Sequence, residues 1–218
     1  ALVHDYLNQY GGAERVLEAM GELFPDAPIY TLFYDAEGTF FKFAHRNIIT
    51  SPIDKIAAVK KRHRLFIPFM PLAADRLTIS GYDLVLSSSA SYAKGANIKG
   101  GFHITYCHTP MRYAWEDAEY VKTHPMFQSA PARLVGSFVS AYLRRWDAAA
   151  AQKPNLYMAN SKFIANKIEK YYNREAVVVH PPVDGEMFHR EEGHKRKYFL
   201  AVGRMLHYKR FDLVIDAF

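Results

Sequence analysis

The stretch Leu2–Met20, LVHDYLNQYGGAERVLEAM, decides the fold. Leu2-Val3-His4 reads as a short strand of a sheet. Gly11-Gly12 then opens a helix whose apolar residues Val16, Leu17, Met20, Leu23 and Phe24 share one face, with Pro25 as its stop. A strand, a glycine turn and a helix in that order begin a parallel sheet covered by helices. The turn also invites chemistry. Two glycines allow a ligand to approach the backbone closely, and the N–H groups of a helix start attract a phosphate. The spacing is not Gly-x-Gly-x-x-Gly, so the standard dinucleotide fingerprint is absent, and an ordinary glycine-rich turn reads equally well here.

The same alternation continues along the chain. Strands are expected at 29–33, 82–87, 103–107, 156–159 and 176–180, and a long helix at 133–151. That helix places Leu134, Val135, Phe138, Val139, Tyr142, Leu143 and Trp146 on one stripe. Ser161 is an N-cap for a helix carrying Ile164, Ile168 and Tyr171. Residues 181–197, rich in proline, glycine and charge, read as an interdomain linker. After them a new strand at 198–202, Gly203 and a new helix repeat the opening pattern. The expected fold class is α/β: a Rossmann-like parallel sheet flanked by helices over 1–180, a linker over 181–197, and the first strand and helix of a second Rossmann-like domain over 198–218.

A chain of 218 residues, half of them hydrophobic, can build one full domain core with a fraction of another. No apolar run approaches the roughly 20 residues needed to span a bilayer, and no signal peptide opens the sequence. Cys107 is the one cysteine and cannot form an internal disulfide, in keeping with a reducing cytoplasm. The net charge of +6 favours acidic partners: nucleic acid, anionic lipid or a phosphorylated ligand. The sequence starts on an apolar strand without Met and ends on an apolar helix without a cap signal. The expectation is a piece of a longer protein, truncated at both ends.

Gly203-Arg204 with Lys209-Arg210 brings glycine and cations to the second strand-to-helix turn. Arg204 can fork two phosphate oxygens and Lys209 adds a point charge. A solvated basic helix start is the bland alternative, but cations sit poorly at a positive helix N-terminus unless an anion joins them.

Taken together, VGRMLHYKRFDLVIDAF (202–218), HDYLNQYGGAERVLEAM (4–20), GYDLVLSSS (81–89), YCHTPMRYAWED (106–117), ANSKFIANKI (159–168) and PPVD (181–184) resemble, in order, the landmarks of family 4 glycosyltransferases of the GT-B fold. The likeness is greatest to the bacterial mannosyl- or glucosyltransferases of cell-surface polysaccharide synthesis. The resemblance implies a retaining, metal-independent transfer of a hexose from a nucleotide sugar such as GDP-mannose or a UDP-hexose, in a cleft between two domains and with no cofactor. It implies that Gly12 and Gly11 approach the donor from the first domain, while Arg204 and Lys209 neutralise its diphosphate from the second. His108, in Cys107-His108-Thr109-Pro110, matches the family's active-site histidine beside the transferred sugar. There it would hydrogen-bond a sugar hydroxyl and help hold developing charge; the alternative is a satisfied histidine at a strand end. Such enzymes carry an acidic donor-binding motif further on, so this sequence alone is expected to be inactive. Zinc on His103, Cys107 and His108 is rejected, because residues 107 and 108 point to opposite faces and no second cluster completes a site.

Lys60, Lys61, Arg62 and Arg64 precede the apolar run Leu65-Phe66-Ile67-Pro68-Phe69. Cations beside apolar side chains suit an anionic membrane surface, where a polyprenyl-linked or glycan acceptor would be met; a charged helix end before a buried loop is the alternative. The expected location is the cytoplasm, with peripheral attachment to the inner face of the cell membrane. No nucleic-acid recognition motif is present, and the aromatics do not interleave with the cations as stacking platforms do. The runner-up to the enzyme is a non-catalytic α/β module that binds a phosphorylated sugar or nucleotide. The apolar tail 198–218 is expected to pack on a missing C-terminal half or a second copy of the chain.

Overall fold

The structure, a computed structural model, describes residues 1–116, 130–189, 198–203, 205 and 209–218, with 130–133 by backbone alone. Its contacts divide the chain into Ala1–Pro182 and Val183–Phe218.

The first unit is built on a parallel sheet with the order β3-β2-β1-β5-β7-β8-β9. Its strands are β1 (Leu2–His4), β2 (Ile29–Thr31), β3 (Ile48–Thr50), β5 (Leu84–Ser89), β7 (Phe102–Cys107), β8 (Leu156–Ala159) and β9 (Val177–Val178). Between β3 and β5 the chain lays down a small parallel pair, β4 (Thr78–Ser80) with β6 (Asn97–Lys99). The sheet therefore grows outward from β1 in one direction through β2 and β3. It then returns to the other side of β1 and grows the opposite way through β5 and β7. The reversal falls between β1 and β5.

The described helices are α1 (Gly12–Leu23), α2 (Ala57–Arg62), α3 (Met70–Arg76), α4 (Arg112–Trp115), α5 (Ala130–Ala150), α6 (Lys162–Tyr172) and, in the second unit, α7 (Phe211–Asp216). Strand alternation sends Leu2, Ile29, Leu86 and Tyr106 to one face, where α1 covers them with Val16, Leu17 and Met20. Val3, Tyr30 and Val85 face the other way, against a core that includes Met70, Ala74, Ile79, Met111 and Leu143. The strands are apolar on both faces because helices cover both, the condition under which parallel sheets occur. Ser161 caps α6 as its sequence predicts, its hydroxyl accepting from the Ile164 N–H.

Two helix faces differ from the sequence reading. Leu23 and Phe24 share the angular position of Val16 and Met20 but are exposed, because the last turn of α1 overhangs what the helix covers. Helix α5 differs more. Its apolar stripe of Leu134, Val135, Phe138 and Tyr142 is exposed, while Gly136, Ser140, Leu143, Asp147 and Ala150 face inward. Polar anchors set this rotation. The Ser140 hydroxyl donates to the Tyr113 carbonyl, and Asp147 Oδ2 accepts from Trp115 Nε1 at 2.8 Å and from the Tyr172 hydroxyl at 2.7 Å. On α6 the inward residues are Ile164, Ile168 and Tyr172, with Tyr171 half-buried and stacked on Trp115.

In the second unit, residues 198–202 are not a strand. An extended segment gains its ladder bonds only from a neighbouring strand, and none pairs with it among the described residues. Helix α7 is present, and the Phe199 and Phe218 rings stack at 4.3 Å.

Candidate active site

Parallel register brings the ends of three strands level. His4 of β1 pairs with Ser88 of β5, and Ser88 with Tyr106 of β7. His108 stands two residues beyond Tyr106 and turns to the same face. His4 Nδ1 lies 3.0 Å from Ser88 Oγ, and the same oxygen lies 2.8 Å from His108 Nε2. This row occupies the carboxyl edge of the sheet at the β1–β5 reversal, the place where open α/β sheets bind ligands.

The turn Gly11-Gly12 begins α1 above the same face. Glu14, in the first turn, folds back so that Oε2 accepts from the Gly11 N–H at 2.7 Å while Oε1 lies 3.5 Å from His4 Nε2. The helix start thus already holds one buried carboxylate, favourably placed at the positive end of the helix. Burial raises the Glu14 carboxyl, but hydrogen bonding and charge from His4, with backbone N–H groups, outweigh it and hold the group below its usual range. Gly11 is committed to Glu14. At Gly12 an added Cβ would meet nothing within 4 Å, so the backbone there is open to approach.

Burial, followed by the neighbouring His4, pushes the His108 imidazole down to about 4, so it is neutral near pH 7. Its ring packs edge-on to Tyr106 at 5.3 Å, its backbone N–H donates to the Ser89 carbonyl, and its backbone carbonyl accepts from Asn160 Nδ2. His103, one of the three residues weighed for zinc, lies along β7, where Nε2 is 2.9 Å from Ser87 Oγ. Burial pushes it to about 4 as well, and pushes the Cys107 thiol up to about 12.

Asp5, which the sequence reading passed over, alternates to the opposite side from His4. Its carboxylate accepts from the N–H groups of Ala90, Tyr92 and Ala93 at 2.6–2.8 Å and from the Ser89 hydroxyl at 3.3 Å. It thereby clamps the turn that follows β5. Neither Asp5 nor Glu14 stands out in sequence; the only available signal was a charged residue directly after an apolar strand and another at the third position of a helix.

Of the second-unit residues, Lys209 is exposed and Arg204 lies outside the described residues. Arg210 is engaged by Asp212, with Nη2 2.8 Å from Oδ2.

Among the described residues no helix is long and apolar enough to cross a membrane. No curated protein matches the sequence. The family profile described as Glycosyltransferase Family 4, however, matches residues 10–187, a span that takes in the glycine turn, the ends of β5 and β7, and His108. The chain belongs to glycosyltransferase family 4, and the reaction of its kind is glycosyl transfer.

Proposed function

We propose that this chain supplies the acceptor-side half of a retaining, metal-independent enzyme that moves a hexose, mannose or glucose, from a nucleoside-diphosphate sugar to a glycan or polyprenyl-linked acceptor in surface-polysaccharide synthesis. One observation carries the reading: a neutral imidazole, His108, and an open glycine, Gly12, flank the β1–β5 reversal at the carboxyl edge of the sheet. In this reading His108 hydrogen-bonds a hydroxyl of the transferred sugar, and Gly12 allows the donor to approach the backbone. Gly11 shapes the turn, because its N–H is already given to Glu14. Arg204 and Lys209 of the second unit neutralise the leaving diphosphate, with residues 1–180 and 198–218 belonging to two domains joined by 181–197. The exposed apolar residues of 198–218 are then covered by further chain or by a second copy.

The test is a transfer assay on the full-length enzyme with a panel of nucleoside-diphosphate hexoses, beside thermal-shift screening of the same ligands. The true donor raises the melting temperature as mass action requires, and His108→Ala lowers turnover by about 10²-fold or more. A panel in which no nucleotide sugar stabilises the protein overturns the reading.

We also propose that the face carrying Lys60, Lys61, Arg62 and Arg64 meets the inner surface of the cell membrane, where a lipid-linked acceptor would be found. Helix α2 ends in Lys60, Lys61 and Arg62, Arg64 follows in the next turn, and Leu65, Phe69, Leu72 and Ile56 beside them are exposed. Cations next to exposed apolar side chains are the pattern that anionic bilayers attract.

A further inference from the structure

Hydrogen counting along the row of groups behind His108 fixes more than their positions. Ser88 Oγ carries one hydrogen and stands between two imidazole nitrogens, His4 Nδ1 at 3.0 Å and His108 Nε2 at 2.8 Å. It can donate to one of them and must accept from the other. The two rings therefore cannot choose tautomers independently. Glu14 makes the choice. Its carboxylate only accepts, Oε2 is occupied by the Gly11 N–H, and Oε1 faces His4 Nε2. When His4 carries a single proton, that hydrogen belongs on Nε2, facing the Glu14 carboxylate, which leaves Nδ1 bare to take the Ser88 hydrogen. Ser88 Oγ then accepts from His108 Nε2–H, and the lone pair of His108 is left on Nδ1. That atom has no hydrogen-bond partner among the described residues and is not among the buried unpartnered atoms, so solvent reaches it.

We propose that Glu14, His4 and Ser88 are positioning residues whose hydrogen-bond relay sets the tautomer of His108, so that its Nδ1 meets the sugar hydroxyl as an acceptor. The proposal rests on the reading of His108 given above. His4, Ser88 and Glu14 are themselves buried. A second-row group of this kind acts by fixing which nitrogen carries the proton.

Glu14→Gln tests it sharply, because glutamine keeps the capping bond to Gly11 and its amide nitrogen turns a donor toward His4 Nε2. Every hydrogen in the relay must then reverse: His4 Nδ1–H to Ser88, Ser88 O–H to His108 Nε2, and the proton of His108 to Nδ1. Two-dimensional proton–nitrogen NMR of the histidine-labelled protein reads the tautomer directly. The expected result is Nε2–H on His108 in the parent, Nδ1–H in Glu14→Gln, and no effect of Glu14→Gln once Ser88→Ala has cut the relay. A parent His108 with its proton on Nδ1, or a tautomer indifferent to Glu14→Gln, overturns the proposal. In turnover, a misplaced proton lowers kcat at least about tenfold and leaves KM nearly unchanged. The spectrum decides the relay whether or not transfer depends on His108. Full activity in His108→Ala, by contrast, overturns the catalytic reading alone.

Discussion

Lys94 and Asp147 meet in the closed interior, with Lys94 Nζ 2.5 Å from Asp147 Oδ1 and both side chains at 1% exposure or less. Lys94 lies in the turn after β5 and Asp147 on α5, so the pair fastens that turn, already clamped by Asp5, to the longest helix. The Lys94 ammonium also donates to the Ser91 carbonyl and lies over the Tyr172 ring. Nothing in a basic residue at 94 or an acidic one at 147 announces this in sequence; both would ordinarily be placed on the surface.

Removing either partner leaves the other buried and uncompensated. Lys94→Met or Asp147→Asn is therefore expected to cost about 3–5 kcal/mol in urea unfolding. The double variant Lys94→Met/Asp147→Asn should recover part of that loss, because no buried charge remains and the asparagine oxygen still accepts from Trp115 Nε1 and the Tyr172 hydroxyl. Single variants as stable as the parent would show that the pair is not closed off.

Acid should weaken the fold before the carboxylates titrate. His103 and His108 are both held near 4 by burial, against 6.5 for the free side chain. Between those two values the unfolded chain binds protons that the native chain refuses, so stability falls as pH drops from about 6.5 and levels off near 4. Each histidine contributes on the order of 3 kcal/mol to that fall. Glu14, held low, adds a loss at still lower pH as its carboxylate protonates. Chemical denaturation across pH 4–7 measures the slope. A flat profile would contradict the burial of both rings, and His103→Gln should remove about half of it.

Gly12→Ala separates fold from ligand. The added methyl meets no atom within 4 Å and occupies the first turn of a helix, so stability should stay within about 0.5 kcal/mol of the parent. If the donor lies against this backbone, the same methyl obstructs it and KM for the nucleotide sugar rises by about tenfold, equivalent to roughly 1.4 kcal/mol. An unchanged KM places the donor elsewhere.

Charge reversal at Lys60, Lys61, Arg62 and Arg64 to Glu should abolish sedimentation with anionic liposomes while the melting temperature stays within a few degrees. These side chains are on the outer part of α2 and the turn after it, and among them Lys60 has a partner in Asp54 at 3.4 Å. Binding that survives reversal would remove the membrane from the proposal.

The sequence reading recovered the parts that announce themselves by period. Strands β1, β5, β7 and β8, the helix after Gly11 and the cap at Ser161 all carry local patterns that need no distant partner. It missed β3, β4 and β6, three residues each; β1 is as short but is marked by the glycine turn and amphipathic helix that follow it, a context these three strands lack. Its apolar stripe on α5 is inward only in part: Leu143, with Val139 and Trp146, packs on the core, whereas Leu134, Val135, Phe138 and Tyr142 are exposed. An apolar stripe is a good guide only when burial alone decides rotation, and here Ser140 and Asp147 decide it through bonds to Tyr113, Trp115 and Tyr172. The site was half visible. His108 and the glycine turn stood out, but Ser88 joins two rings that are 84 and 20 residues away, a relation that exists only once the sheet is assembled.

His4 and Asp5 are neighbours in sequence and serve opposite sides of the sheet, one joined to His108 through a serine, the other tying down the residues after β5. Backbone alternation makes the dipeptide indivisible. An insertion or deletion of one residue ahead of it would carry the imidazole to the side where a carboxylate is needed and the carboxylate to the side where an imidazole is needed. The length of β1 is thus under chemical control from its far end: a substitution at Leu2 or Val3 alters packing alone, whereas a change in the number of residues reverses the chemistry of both faces.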